Sequence, residues 1–343
     1  MCREELSHIL RGFGINNNAI MNSWGDKFRV TIWGESHGTQ VGVSIDGVPA
    51  GIALQEEDFL SDLGRRKAGG AGTTTRTESD YPHIVSGIYE GHTTGAPLTI
   101  VFENENTRSG DYDRLRLHPR PSHADLTARH KYGEEFDLRG GGIFSGRMTL
   151  LLGAAGVVAK KVTAAARYTS RIVELGGCCD SAEFDAVVAA AQRDGDSVGG
   201  VIECCIEGAG RDLGEPFFDS VESVAAHLLF SVPAVKGVEF GSGFAGVCLR
   251  GSERNDRIID SNGTTATNHE GGINGGITNG NPIVVRVAIK PTPSIARPQD
   301  TFNFATQSVE PLTIGGRHDA CIVLRAAVVV EAVMAIVLAE LSL

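Results

Sequence analysis

Two segments of this chain are apolar on nearly every side when wound as helices, and they restrict the folds it can adopt. One covers 148–166 and is built mainly from Ala, Leu and Val, and the other covers 326–339, where Glu331 is the only charged residue. A helix without a polar face belongs in the centre of a protein. The second run is also shorter than the roughly 18–20 residues that a membrane span needs, so both segments predict core helices.

Strand patterns surround these two helices. Short alternating or apolar runs are typical of strands, and turn-forming residues separate them. The predicted strands cover 28–33, 41–47, 84–89, 97–102, 198–206, 237–240, 246–249 and 282–289. Strands and helices do not alternate regularly, and no repeat or linker divides the chain, which favours an α+β fold in one domain over 21–343.

Two further helices are predicted from their capping pattern. Asp180 with Glu183, and Asp219 with Glu222, each place a second acid three residues after a capping acid. Helices at about 181–193 and 220–230 follow.

Three stretches show no periodicity. Residues 104–131 and 290–316 are predicted loops, and the arginines and histidines of the first favour a functional role for it. Residues 1–20 end in a turn-rich segment before a plausible start at Met21, so we interpret them as an N-terminal extension outside the core.

Composition excludes several classes of protein. A net charge of −11 argues against a general nucleic-acid binder, although a local basic pocket for a small anion remains compatible with it. The seven cysteines include no CxxC motif, so neither a zinc ribbon nor a thioredoxin-type site is predicted, and no metal ligand set is proposed. We interpret the cysteines as reduced core residues of a cytoplasmic protein, since no secretory signal is visible.

The GESHG segment at 34–38 fits the G-x-S-x-G pattern of a nucleophile elbow. That elbow needs a helix after Ser36, whereas a strand is predicted there. The late acid Asp319 also has no histidine after it to complete a triad. A hydrolase is therefore disfavoured, and His37 is either a catalytic histidine or a polar turn residue.

Three other segments each carry a functional and a structural interpretation. The basic turn at 65–67 is either a solvated surface or an anion site, since guanidinium groups suit phosphate and carboxylate. The glycine-rich loop at 271–280 opens no helix, so it is no dinucleotide fingerprint, but contact with a flat cofactor stays open. The Lys290–Ser294 segment is either a proline turn or a set of polar donors on a rigid backbone.

Taken together, the ordered motifs of this chain closely resemble chorismate synthase over residue 21 to about 343. The motifs are FRVTIWGESHG at 28–38, DGVPAG at 46–51, LGRRK at 63–67, GHTTGAP at 91–97, DY at 111–112, RPSHAD at 120–125, KYG at 131–133, RGGG at 139–142, AVKGVE at 234–239, GGINGGI at 271–277, KPT at 290–292 and GRHD at 316–319. The resemblance implies a β-α-β sandwich with a helical core between antiparallel sheets, assembled as a homotetramer.

The resemblance also implies an activity. Members of that family convert 5-enolpyruvylshikimate-3-phosphate to chorismate and phosphate by a 1,4-trans elimination in the shikimate pathway, which supplies aromatic amino acids. They require reduced FMN although the reaction has no net redox change. NADPH is then an indirect reductant, and an external flavin reductase is the expected partner because no added reductase domain is apparent. Neither nucleic acid nor membrane is an expected partner.

Site residues follow from the same resemblance. His37 would protonate the leaving phosphate, His123 would hold or protonate the flavin, and Asp319 would take the substrate-derived proton, with Ser36 and Ser145 supporting the histidines. The substrate carries a phosphate and two carboxylates, which suits arginine. The implied anion ligands of substrate or NADP are Arg66, Arg65 and Arg147. The implied flavin contacts are Phe144, Ser145, Ala234, Gly275, Lys290, Pro291, Thr292, Pro293, Ser294 and Arg317.

Several positions depart from the family pattern. An arginine is usual where Gly72 stands, glycine where Ser122 stands, and proline where Ala320 stands. Residues 143–147, Ile-Phe-Ser-Gly-Arg, replace the common Arg-Ser-Ser-Ala-Arg. The resemblance predicts activity with altered flavin or substrate affinity. The alternative is a non-catalytic relative that binds flavin or an anionic metabolite.

Overall fold

Two antiparallel sheets enclose a layer of two long helices in the computed structural model of this chain. The structure describes residues 21–70, 72–74, 78–105, 113–133, 136–315 and 318–343. The predicted N-terminal extension, residues 1–20, lies outside the described residues.

The strands of the described chain form two main sheets and three short hairpins. They are β1 (Ser23–Trp24), β2 (Arg29–Gly34), β3 (Gln40–Asp46), β4 (His83–Ser86), β5 (Ile88–Tyr89), β6 (His92–Thr93), β7 (Leu98–Glu103), β8 (Arg167–Leu175), β9 (Gly200–Glu207), β10 (Val235–Phe240), β11 (Ile273–Asn274), β12 (Ile277–Thr278), β13 (Ile283–Ile289), β14 (Gln299–Asn303) and β15 (Ser308–Leu312). The first sheet has the order β1-β2-β3-β7-β4 and the second β10-β13-β9-β8. The hairpins are β5-β6, β11-β12 and β14-β15.

The α-helices of the described chain differ widely in length. They are α1 (Leu60–Arg66), α2 (Asp125–Tyr132), α3 (Thr149–Val162), α4 (Phe184–Arg193), α5 (Val221–Leu229), α6 (Gly251–Arg254) and α7 (Val323–Ser342). The two longest, α3 and α7, are the two apolar helices predicted from the sequence, and most of their residues are buried.

Residue alternation decides which face of each sheet meets the helices. Along β13, Ile283, Val285, Val287 and Ile289 are buried, whereas the residues between them are half-exposed. This period of two places one apolar face of the second sheet against α7. The first sheet covers α3 in the same way, and one hydrophobic cluster joins both sheets to both helices.

The two central helices lie very close together at one point. A Cβ placed on Gly156 of α3 would stand only 2.3 Å from the Cβ of Ala332 in α7. Only glycine permits this approach, so Gly156 sets the spacing of the helical layer. The α+β sandwich with a helical core is therefore confirmed.

Four local predictions are wrong. The segment 104–131 contains most of α2, and 290–316 contains the β14-β15 hairpin. Residues 246–249 do not form the predicted strand, because a 3₁₀ helix spans Gly243–Cys248. Ser220, whose hydroxyl accepts from the Ser223 N–H, caps α5 in place of Asp219, because it is the residue with extended backbone directly before the helix.

Other predictions are confirmed in full or in part. The Asp180 carboxylate accepts a hydrogen bond from the Ala182 N–H, as a helix cap does. Six cysteines lie in the described part and all are unpaired thiols, but only Cys204 and Cys321 are buried, so most are not core residues. Among the described helices, none combines the length and the hydropathy needed to span a bilayer.

Candidate active site

A deep cleft of about 1,360 Å³ lies where α3 and α7 begin. Its wall includes the first turns of both helices, together with Arg66 at the end of α1, the turn before α2, and the segment after β13. Ligand pockets usually have about 300–1,000 Å³, so this cleft has room for more than one small molecule.

Two buried arginines share one carboxylate at the cleft. The Arg66 Nη2 atom donates to Asp80 Oδ2 at 2.9 Å, and Arg147 donates to the other oxygen of Asp80. Arg147 also donates to Asn104 Oδ1 at 2.9 Å and to the Glu103 carbonyl at 3.1 Å. Two cations against one anion leave a positive charge at this end of the cleft.

Electrostatics at this cluster follow from burial and from its neighbours. Burial alone would raise the pKa of Asp80, but Arg66 and Arg147 outweigh it and hold that pKa below the ordinary value. Burial lowers the pKa of Arg66 to about 10, helped by the nearby charges of Arg325 and Arg147 and opposed by Asp80. Arg66 stays charged at neutral pH, and its buried Nε has no hydrogen-bond partner among the described residues.

Asp319 is held beside this cluster by two donors. Its Oδ1 accepts from the Thr74 N–H at 2.9 Å, and Arg325 Nη1 lies 3.1 and 3.0 Å from its two oxygens. Arg325 Nε also donates to the carbonyl oxygen of Arg66 at 2.9 Å. Arg325 therefore fixes the predicted base and the predicted anion ligand relative to each other.

His37 and Ser36 lie against a run of glycines. A Cβ on Gly140 would stand 2.6 Å from His37 Nε2 and 2.8 Å from Ser36 Oγ. Gly140, Gly141 and Gly142 all have positive φ, so the backbone passes close to both side chains where other residues would collide with them. Ser36 is fully buried, and the ring of His37 reaches the cleft.

His123 lies on the other side of the same glycines. A Cβ on Gly141 would lie 3.7 Å from its Nε2 and 3.6 Å from the Cβ of Ser145. The opposite ring nitrogen, Nδ1, is 2.6 Å from Asp125 Oδ1. Burial alone would raise the pKa of Asp125, but hydrogen bonds from Arg120 and His123 outweigh it and hold that pKa far below its ordinary value.

The predicted flavin contacts after β13 mostly face the cleft. Lys290, Thr292, Pro293 and Ser294 line it, as do Ala234 and Phe144. The hydroxyl of Thr292 is buried without a hydrogen-bond partner in the described chain. Burial lowers the pKa of Lys290, as does the charge of Lys236.

Four predicted residues are not placed with the rest. Arg65 turns away from the cleft and donates to both oxygens of Glu331 at 2.8 and 2.7 Å. Gly275 lies in the turn of the β11-β12 hairpin and Pro291 within the segment after β13, and neither lines the cleft. Arg317 lies outside the described residues.

The structure adds residues that the sequence interpretation did not assign. Asp80, Arg120, Asp125, Arg325 and His318 all contact or line the cleft. Arg120 and Asp125 belong to the RPSHAD motif with His123, so their closeness in sequence to a predicted site residue could have identified them. No sequence feature identifies Asp80, because its role depends on two arginines that are distant in sequence. Burial lowers the pKa of His318, which lies in this wall.

Two departures from the family pattern now have a structural account. Gly72 has φ +79°, and an added Cβ would lie 2.1 Å from Val188 Cγ1, so this backbone does not admit an arginine without strain. Ser122 has φ +59°, in the left-handed region that favours the glycine usual there. Lys290 Nζ donates to the Ser122 carbonyl at 2.8 Å and ties this turn to the cleft.

Fold and cleft together define a class of α+β protein in which two buried arginines and two histidines meet at one cleft. The family model described as chorismate synthase matches residues 28–343. A chorismate synthase from Chitinophaga pinensis is 57% identical, covering 94% of this chain and 97% of the relative. One from Korarchaeum cryptofilum is 41% identical, covering 92% and 96%.

A solved structure agrees with these matches. The structure entitled "Crystal Structure of Chorismate Synthase" superimposes with a TM-score of 0.72 at 27% identity, covering 93% of this chain and 92% of that one. The chain belongs to the chorismate synthase family, and it is a lyase.

Proposed function

We propose that this chain converts 5-enolpyruvylshikimate-3-phosphate to chorismate and phosphate by a 1,4-trans elimination. The observation that carries the proposal is the buried pair of Arg66 and Arg147, which share a single carboxylate. The unpartnered Nε of Arg66 supports an anion there, since a buried donor without an acceptor is costly. A phosphate or carboxylate group of the substrate supplies that acceptor.

Reduced FMN is the cofactor that we propose for the same cleft, and the residues present suit it. The cleft volume exceeds that of a single-ligand pocket, and the unpartnered hydroxyl of Thr292 supplies a polar contact. Ser145, Ala234, Lys290 and Phe144 would hold the flavin from the surrounding wall. When bound, reduced flavin would supply transient electron density to the allylic system in a reaction with no net redox change.

His37 is the proposed proton donor to the leaving phosphate. Breaking the C–O bond places negative charge on the phosphate, and a proton delivered there lowers the barrier. The burial of Ser36 and His37 against Gly140 fixes the donor while its ring still reaches the cleft. His123 is the proposed partner of the flavin edge.

Asp319 is the proposed acceptor of the proton that leaves carbon. Its hydrogen bonds from Thr74 and Arg325 fix the carboxylate at the cleft wall. Arg325 also contacts the Arg66 backbone, so proton acceptor and anion ligand keep one relative position. Elimination needs this alignment because C–H and C–O cleavage occur on one substrate molecule.

An anaerobic assay tests the reaction directly. With dithionite-reduced FMN and 5-enolpyruvylshikimate-3-phosphate, we expect equal amounts of phosphate and chorismate. Omitting dithionite while adding NADPH shows whether the chain reduces its own flavin, and we expect turnover only when a separate flavin reductase is added. Binding of flavin without turnover under reducing conditions would contradict the proposal and support a non-catalytic relative.

A homotetramer is the proposed assembly, and the cytoplasm the proposed compartment. Phe217, Phe218, Phe244 and Val247 are large apolar residues that are more than three-quarters exposed, as in a surface that another subunit covers. The unpaired thiols of the described chain fit a reducing compartment. Light scattering should give four times the chain mass, and a stable active monomer would contradict this assembly.

Residues 1–20 are proposed to be dispensable, with 21–343 forming the catalytic domain. A chain beginning at Met21 should keep its melting temperature and turnover. A fall of several degrees would show that the extension packs on the domain.

A further inference from the structure

His123 contacts a second carboxylate unit at the cleft, and the mechanism above gives that unit no role. Asp125 is the first residue of α2 and is 2% exposed, and Arg120 is 6% exposed. Arg120 donates to Asp125 three times, from its backbone N at 3.1 Å, from Nε at 2.7 Å and from Nη2 at 2.7 Å. The carboxylate therefore has one orientation.

The guanidinium of Arg120 is itself fixed at its far end. Its Nη1 donates to the hydroxyl of Ser294, which is buried in the segment after β13. The Arg120–Asp125 pair is therefore held between α2 and the segment that follows β13. A carboxylate held this way can impose an orientation on a neighbour instead of following it.

The distances around His123 Nδ1 favour one donor for its contact with Asp125. Nδ1 is 2.6 Å from Asp125 Oδ1 and 3.0 Å from Arg120 Nη2. A lone pair on Nδ1 would face a carboxylate oxygen at short range, which is repulsive. A proton on Nδ1 turns that repulsion into a hydrogen bond to the carboxylate, so the 2.6 Å distance points to the proton being on Nδ1.

We propose that Asp125 is a positioning residue that fixes His123 as the Nδ1–H tautomer and turns Nε2 into the cleft. This inference rests on the proposed function for its catalytic meaning, but not for its geometry. Neutral His123 then offers a lone pair at Nε2, and the protonated form offers an N–H at the same atom. The ring can accept and return a proton there without rotating.

The arginine gives this arrangement a second property. Asp125 and Arg120 together carry no net charge, so the carboxylate orients the ring while its own charge is balanced beside it. The unit thus holds the ring of His123 in one orientation without adding net charge beside it.

Histidine nitrogen NMR on the ligand-free protein tests the tautomer without relying on activity. In protein labelled with ¹⁵N-histidine, at a pH where His123 is neutral, we expect Nδ1 to be the protonated nitrogen. The His123→Ala spectrum assigns the signals. Asp125→Asn should make Nε2–H the major form, while Asp196→Asn, which breaks an exposed aspartate–arginine pair at 3.1 Å, should change nothing. A wild-type Nε2–H tautomer would overturn the proposal, even if Asp125→Asn fails to fold.

A double-mutant cycle tests whether Asp125 acts through the histidine. Asp125→Asn should lower kcat by about 10–100-fold, as loss of an orienting partner does, and shift the pH at which bound reduced FMN changes its absorbance. In a His123→Ala background the same change should cost less than about 2-fold. Losses that multiply in the double variant would refute a positioning role. If the wild type makes no chorismate, the proposed function fails while the NMR measurement still decides the tautomer.

Discussion

Arg65 and Arg66 are neighbours at the end of α1, yet they serve different regions of the molecule. Arg65 enters the helical layer, where Glu331 also accepts from Lys160 Nζ at 3.1 Å and from the Ser170 hydroxyl at 2.6 Å. Arg66 turns into the cleft, where it must share Asp80 with Arg147. Consecutive helical residues point about 100° apart, which is enough to separate the two roles.

The difference between the two regions lies in how completely the charges are satisfied. Around Glu331 one buried carboxylate receives donors on both oxygens, so the network is complete and needs no ligand. Around Asp80 the cations are in excess and one buried donor has no acceptor. A complete network indicates structure, whereas an incomplete one at a cleft indicates binding.

The largest expected effect is a loss of activity at the cleft with no loss of stability in the helical layer. His37→Ala should lower kcat by about 10²–10⁴-fold, the range for loss of a general acid, and change FMN affinity far less. Its melting temperature should stay near that of the wild type because His37 lies outside the hydrophobic cluster that joins the sheets and helices. Anaerobic turnover with saturating reduced FMN checks this. Near-normal turnover would remove His37 as the proton donor.

The second effect is a loss of stability in the helical layer with little change of activity at the cleft. Glu331→Gln should lower the free energy of unfolding by about 3 kcal/mol, the low end for a broken buried ion pair, since Arg65 is half-exposed and can turn to water. Denaturant titration measures it. Turnover of the folded protein should change little.

Acid should remove the stabilisation that ionised Glu331 gives the wild-type protein. Burial alone would raise the pKa of Glu331, but Arg65, Ser170 and Lys160 outweigh it and lower the pKa to about 2 from 4.5. A lowered pKa means stabilisation that is complete above about pH 4.5 and is lost as the pH falls through about 2. The stability gap between wild type and Glu331→Gln should therefore close over that window. A gap independent of pH would contradict the ionised pair.

A matched pair of arginine variants sharpens the comparison. Arg66→Ala should lower kcat/KM by about 10–150-fold, because a hydrogen bond to a charged group contributes roughly 1.5–3 kcal/mol. Arg65→Ala should leave kcat/KM within about 2-fold and lower the melting temperature instead. Steady-state kinetics and thermal unfolding on both proteins separate the roles. Equal kinetic losses would mean that Arg65 also reaches the substrate.

The smallest effect concerns strain in the cleft wall. Ser122→Gly should stabilise the protein by about 1 kcal/mol or less, since relief of the left-handed conformation is partly offset by the entropy of glycine. Ser122→Ala keeps the strain and is the control. If both variants have equal melting temperatures, the positive φ at Ser122 carries no cost.

Part of this fold can be predicted from the sequence, and the individual elements show why. Helices α3 and α7 were predictable because a run of apolar residues has no other place than the core. Helix α2 was not, because its residues, Asp-Leu-Thr-Ala-Arg-His-Lys-Tyr, give only a weak apolar face. The β14-β15 hairpin was missed for the same reason, since its strands mix polar and apolar residues without alternation.

The motifs predicted residues that line the cleft, but not the partners that hold them there. The motifs located His37, His123, Asp319 and Arg66 at the cleft. The resemblance implied both Arg65 and Arg66 as anion ligands. The contact that separates the two in the structure, from Arg65 to Glu331, joins residues 266 positions apart. Asp80 and Arg325 are defined by partners that folding brings to them.

The start of both central helices at the cleft adds an electrostatic term that no side chain supplies. Each helix macrodipole is equivalent to roughly half a positive elementary charge at its N-terminus. Leu152 of α3 and Ala326 of α7 lie in the cleft wall within a turn of those ends. Because peptide dipoles do not titrate, this part of the attraction for anions persists at every pH at which the helices are folded.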